Sequence, residues 1–151
     1  MNIGREIMKI LGIDTKNRKT GDAGEKEAAK FLKRCGYRIL EKNYVRDGYE
    51  IDIIAAKGDT LAFVEVKTRT LREGTVPYGR AAEAVTPEKQ RKILRAAACY
   101  KGHGDTRKMR FDVVEVYIKN ADGKKREYEI KHLVGTFDKD TAYTKKYYKQ
   151  Q

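Results

Sequence analysis

Asp52, Glu65 and Lys67 are the residues of this sequence whose types and spacing could do chemistry together. They lie in two runs, Tyr49-Glu50-Ile51-Asp52-Ile53-Ile54-Ala55 and Leu61-Ala62-Phe63-Val64-Glu65-Val66-Lys67-Thr68, joined by Lys57-Gly58-Asp59-Thr60. Runs rich in β-branched and aromatic residues around a Gly-Asp pair predict a β-hairpin. Side chains alternate faces along a strand, so Glu50 shares a face with Asp52, and Glu65 with Lys67. A symmetric loop at Gly58-Asp59 sets Asp52 opposite Glu65 and Glu50 opposite Lys67, with Cβ atoms about 4.5–5.5 Å apart. Two carboxylates that close repel unless a cation sits between them. Mg2+ or Mn2+ accepts carboxylate oxygens and keeps waters free for phosphate. Such an ion polarises a phosphoryl oxygen and acidifies its water, while a lysine orients the nucleophile or stabilises developing charge. The chemistry expected is phosphodiester hydrolysis. The plainer reading is a solvated hairpin with an ordinary Glu50–Lys67 ion pair. Against it, Ile51, Ile53, Ala62, Val64 and Val66 make one face apolar, while Ile54, Leu61 and Phe63 interrupt the polar one, so both faces should be covered.

Those strands need elements to hold them. A helix is predicted from near Asp22, where Asp22 and Glu25 have capping-box spacing, with an apolar stripe of Ala28, Phe31, Leu32 and Cys35 and a stop at Gly36. Glu25 shares a side with Ala28, Ala29 and Leu32, so it points to the edge of whatever the helix covers; completing the cap is its simplest role. Tyr37 to Tyr44 reads as a first strand. Thr86 as N-cap and Pro87 as N1 open a second helix reaching about Tyr100. Lys89 and Gln90 lie in its first turn, one turn before Ile93 and Leu94. There Lys89 could approach a phosphate beside the helix N-terminus, or simply be solvated. Phe111–Ile118 and Glu127–Val134 are two further strands around a turn at Asn120–Gly123. Helix, three strands, helix and two strands predict an α/β fold, a central mixed β-sheet flanked by α-helices. The organisation expected is a basic N-terminal arm over 1–20, one domain over 21–137, and a Lys/Tyr-rich tail over 138–151.

Charge points to the partner. Among 151 residues, 34 Lys and Arg face 22 Asp and Glu, a formal net charge of +12. An excess of that size favours polyanions, since each neutralised phosphate releases condensed counterions. Nucleic acid is the leading partner class, with an anionic membrane surface or simple solubility as the plainer alternative. Arg69, Arg72 and Arg80 follow the site strand in a glycine-containing stretch and are candidate phosphate contacts. Cys35 and Cys99 fall in apolar helical stripes and are expected to be small buried residues of a reducing compartment. His103 and His132 lack ligand-spaced partners and are expected at the surface. No segment has signal-peptide or transmembrane character, so a soluble cytoplasmic protein is expected, without membrane contact.

The ordered set of motifs resembles a known family. Asp52, a short hairpin and Glu65-Val66-Lys67 look like the PD-(D/E)xK nuclease signature. Gly21-Asp22-Ala23-Gly24-Glu25, Glu50-Ile51-Asp52, Phe63-Val64-Glu65-Val66-Lys67-Thr68-Arg69, Ala84-Val85, Lys89 and Arg110-Phe111-Asp112-Val113 together resemble the YraN-like family of that superfamily, related to archaeal Holliday-junction resolvases. The resemblance covers about residues 20 to 118. It implies a restriction-endonuclease-like fold and a Mg2+- or Mn2+-dependent endonuclease acting on DNA, including branched DNA. It further implies Asp52, Glu65 and the Val66 carbonyl as metal ligands, Lys67 as catalytic lysine, and Glu25 as an additional acid, with Glu50 and Lys89 in support. Ile51 replaces the signature's proline, and Tyr49-Glu50 stands where the family often has Gly-Glu. Two alternatives stay open: a non-catalytic nucleic-acid-binding accessory module on the same fold, and, for junction cutting, a homodimer.

Overall fold

The computed structural model describes residues 15–71, 85–102, 104–119 and 125–138, with the backbone alone for residues 15–20. Its elements are α1 (Thr15–Arg34), β1 (Arg38–Arg46), β2 (Tyr49–Lys57), β3 (Thr60–Thr70), α2 (Pro87–Lys101), β4 (Lys108–Lys119) and β5 (Glu127–Phe137). The five strands form one sheet in sequence order. β3 and β4 pair in parallel, and every other neighbouring pair is antiparallel. That follows from the connections: tight turns join β1, β2 and β3, whereas a parallel neighbour requires a long crossover, which here carries α2. The mixed sheet between helices is the expected α/β, restriction-endonuclease-like architecture.

Two apolar layers bury the sheet. Ala28, Ala29 and Leu32 of α1 pack on Ile53, Ala55, Ala62, Val64, Val114 and Val116. Ile93, Ala96 and Ala97 of α2 pack on Ile54, Ala56, Leu61, Phe63, Phe111 and Val113. Burying one such aliphatic side chain as large as Leu32 contributes roughly 1.5–3 kcal/mol. Both faces of the hairpin are therefore covered, as its interrupted polar face predicts. The alternation itself fails at one point: Ile51 joins the α2 layer with Ile54, while Ile53 belongs to the α1 layer.

The helix termini show the local chemistry. Thr86 caps α2 by accepting from the Lys89 N–H at 3.3 Å, with Pro87 following. At the end of α1, Gly36 has φ 89°, its N–H donates to Lys33 O, and the Tyr37 N–H donates to Leu32 O. This is a Schellman stop, which a glycine allows at no steric cost. Lys57 adds a cation there, donating to the Cys35 carbonyl at 2.7 Å.

Three expectations need correction. α1 begins at Thr15 rather than near Asp22, so Asp22 and Glu25 lie inside the helix and do not form a capping box; the polar stretch before Asp22 is as able to be helical as the stripe after it. Cys35 and Cys99 are exposed rather than buried, because Cys35 lies in the turn past the end of α1 and Cys99 off the line of contact between α2 and the sheet. His132 is largely covered and bonds Asp112 at 2.8 Å. Asp112, fully buried, also accepts from Arg110 at 2.8 and 2.9 Å and from the Gly135 N–H at 3.0 Å. Burial opposes its ionisation, but these donors win and hold its carboxyl at about 2. His103, Arg72, Arg80, the turn at 120–123 and most of the two terminal segments lie outside the described residues.

Candidate active site

The site begins where two strands part. The β2–β3 ladder runs from Lys57↔Thr60 to Ile53↔Val64 and stops there, although both strands continue. The register is the one a symmetric loop dictates, and one more step would pair Asp52 with Glu65. Instead of a ladder bond, the Asp52 carboxylate takes the Val66 N–H, at 2.8 Å. A side-chain acceptor thus replaces a strand carbonyl, which frees β2 to turn away from β3. The local break at Asp52 is also where the face alternation of β2 fails.

Glu65 is buried at 7% exposure on the face covered by α2. Its Oε1 pairs with Lys67 Nζ at 3.2 Å and accepts a short hydrogen bond from Lys89 Nζ. Lys89 reaches it because Thr86 and Pro87 set the first turn of α2 over the end of the parted strands. Glu50 does not pair across the hairpin with Lys67, as the ladder has ended before that position. Lys67 turns to Glu65 on its own strand, and Glu50 turns to β1.

There Asn43 lies within reach of two acids. With its amide nitrogen turned toward them, it donates to Glu50 Oε1 at 2.8 Å and to Glu25 Oε2 at 3.0 Å. The reverse orientation would set an amide oxygen against two carboxylates, so the network fixes the assignment. Glu25 stands at the margin of the site, linked through Asn43 to Glu50. What brings α1 so close is Gly24: a Cβ there would overlap the Thr68 side chain, with Thr68 Cβ at 2.8 Å.

Electrostatics follow from this crowding. Burial, then the Glu65 charge, pushes the Asp52 carboxyl up to about 7 against the opposing Val66 hydrogen bond. Burial and the neighbouring Glu50, Asp22 and Glu65 charges raise Glu25. For Lys89, burial works against the ammonium, but the bond to Glu65 outweighs it and the value is raised. Tyr49 is pushed well above the usual phenol range by burial and by Glu65, Asp52 and Glu50. Its hydroxyl is sealed from solvent and has no hydrogen-bond partner among the described residues.

Asp52, Glu65, Lys67 and Lys89 are thus gathered at one end of the sheet. Glu25 and Glu50 flank them, and Arg69 lies exposed further along β3. Asn43, Gly24, Tyr49 and Glu115 carried no role in the sequence. Glu115 is buried beside Lys67 in the parallel ladder and accepts from the Tyr117 hydroxyl. Only Glu115 had a signal, as one of two acids, with Asp112, within an apolar strand.

The fold and its covered acid–lysine centre define a restriction-endonuclease-like α/β protein. The chain belongs to the uncharacterised protein family UPF0102, the YraN-like family, whose profile matches residues 24–116. Similar relatives include a UPF0102 protein of Chlorobaculum parvum, 48% identical over 120 residues, which are 78% of this chain and 90% of that one. Another, from Pelobacter propionicus, is 44% identical over 126 residues, 81% of this chain and 84% of its own. A third, from Symbiobacterium thermophilum, is 47% identical over 102 residues, 66% and 83% respectively. No activity is named for the family. No helix among the described residues is long and apolar enough to cross a membrane.

Proposed function

We propose that this protein is a divalent-cation-dependent endonuclease that hydrolyses phosphodiester bonds of DNA, branched DNA included. The observation that carries this reading is the pairing of half-buried Asp52 with buried Glu65 at the parting of two strands, with Lys67 and Lys89 on the same oxygen of Glu65. A protein that only bound phosphate backbones would gain nothing from two covered carboxylates facing its ligand. The donor set suits Mg2+ or Mn2+. Val66 N–H fixes Asp52 Oδ2 and leaves Oδ1; burial first, then repulsion from Glu65, raises Asp52, and a cation would relieve both. Among the described residues no group of three or more His, Cys, Asp and Glu could hold an ion. In this reading the ligands are Asp52, Glu65 and the Val66 carbonyl, with water and substrate oxygens completing a hard-cation shell. A cation held there supplies a polarised phosphoryl oxygen and a more acidic water.

The chain's own groups do the rest. Lys67 orients the attacking water and stabilises charge as the phosphorus centre expands. Lys89, at the N-terminal turn of α2, can pass from Glu65 to a phosphate oxygen, where the helix end adds its own positive potential. Arg69, with Arg72 and Arg80 of the following segment, contacts the flanking backbone, and the net charge of +12 draws DNA in. Cleavage of both strands of a junction would call for a homodimer.

The test is cleavage of linear, nicked and four-way-junction DNA with Mg2+ or Mn2+, comparing wild type with Glu65→Ala and Lys67→Ala. Metal-dependent cutting lost in both variants is expected. Tight binding without cutting under any metal would sink the endonuclease and leave the accessory-module reading. Cutting that persists in both variants would move the site elsewhere.

A further inference from the structure

Asn43 occupies a position that its strand alone does not explain. In the β1–β2 ladder it falls between the pairs Lys42↔Ile53 and Tyr44↔Ile51, opposite Asp52, at the one place between them where no pair forms. A row across three strands thus runs from Asn43 through Asp52 toward Glu65. Asn43 also has φ 52°, in the left-handed region. A non-glycine residue adopts it at a cost, and asparagine tolerates it best. Inside a strand, that conformation turns the side chain out of the regular alternation. Here it carries the amide to Glu50 of β2 and Glu25 of α1.

From this we infer that Asn43 is a positioning residue, whose amide clamps the Glu25 and Glu50 carboxylates and so holds Glu25 at the margin of the Asp52–Glu65 pair. Two like charges from different elements approach one donor, and without it they would separate into solvent. α1 could not by itself fix Glu25, since a glutamate on a helix has three free side-chain torsions and its acidic neighbours Glu50, Asp22 and Glu65 repel it, with Lys42 opposing them. The strain at Asn43 is stored beside the site, as sparsely populated backbone often is. The inference rests on the endonuclease reading for its consequence in catalysis, but the clamp is a separate claim.

The experiment is a set of variants read by steady-state cleavage and by urea unfolding. Asn43→Ala should lower kcat roughly tenfold, the worth of one charge-assisted hydrogen bond, with KM for DNA nearly unchanged. Asn43→Asp keeps the backbone preference, loses the donor and adds a third negative charge; its loss should approach roughly a hundredfold. Asn43→Gly removes the amide yet relieves the backbone, so it should fold at least as well as Asn43→Ala while losing as much kcat. In a Glu25→Ala background, Asn43→Ala should cost little more, because its partner is already gone. Wild-type kcat in Asn43→Gly, or an undiminished loss in the Glu25→Ala background, would overturn the inference. Should wild type cut no DNA with either metal, the endonuclease reading fails by itself. The clamp is then judged by unfolding midpoints: coupling between Asn43→Ala and Glu25→Ala supports it, and strict additivity refutes it.

Discussion

Asp52→Asn separates the chemistry of this site from its stability. In the folded protein the Asp52 carboxyl titrates at about 7, against an ordinary 3.8. Between those values the folded state holds a proton that the unfolded chain has released. Stability therefore falls as pH rises from about 4 to about 7, and the loss is complete above that. Three units at 1.36 kcal/mol each set a ceiling of about 4 kcal/mol. Local relaxation and water reaching a half-buried carboxyl reduce this, so about 1–3 kcal/mol is expected to be recoverable. Asparagine keeps an oxygen for the Val66 N–H and removes the charge. At pH 8 with a chelator present, Asp52→Asn should melt roughly 3–10 °C above wild type, at 2–4 °C per kcal/mol for a chain of this length. At pH 4.5 folded wild-type Asp52 is protonated while the unfolded carboxyl is largely ionised, so the difference should shrink to about a quarter of its pH 8 value. Added Mg2+ should raise the wild-type melting temperature and leave the variant's in place, while cleavage is lost. A variant less stable than wild type at pH 8, or equally shifted at both pH values, would refute the account of Asp52 as a carboxylate ionised against its surroundings.

Gly24→Ala forces a methyl group into the Thr68 side chain and should push α1 off β3; a cost of about 1–3 kcal/mol is expected in urea unfolding, with partial relief in a Gly24→Ala, Thr68→Ala pair, where Cβ still stands at 2.8 Å, and fuller relief with Thr68→Gly. Asp112, held at about 2, contributes stability that is present above its ordinary 3.8 and lost as pH falls from about 4 to 2. Asp112→Asn should cost roughly 2–4 kcal/mol, somewhat below a fully buried pair because Arg110 stays partly exposed, and should flatten the acid limb of the stability curve. Tyr49→Phe removes a hydroxyl that has no partner among the described residues, so its unfolding free energy should stay within about 0.5 kcal/mol of wild type or rise; a loss of 2 kcal/mol or so would reveal a partner from outside them.

The sequence by itself determined the order and kind of every described element. Period-two runs bounded by Gly and polar turns mark strands wherever they fall, and Thr86-Pro87 or Gly36 marks a helix end through its own backbone chemistry. It also determined the register of the β2–β3 hairpin, because a symmetric Gly58-Asp59 loop leaves no other pairing for the residues beside it. The acid–lysine centre was legible for the same reason, as Asp52, Glu65 and Lys67 sit on two strands whose geometry is local. Tertiary structure decided the rest. Where the hairpin stops pairing depends on the Asp52 carboxylate taking a strand amide, and Lys67 chose Glu65 over Glu50 as a result. Lys89 reaches Glu65 only because the crossover sets α2 over the parted strands. Asn43 meets Glu25 across a sheet-to-helix contact that the missing side chain of Gly24 allows. Period and capping are encoded within a few residues. Which charge meets which is fixed only when elements distant in the chain bury one another, since burial is what makes those pairings matter.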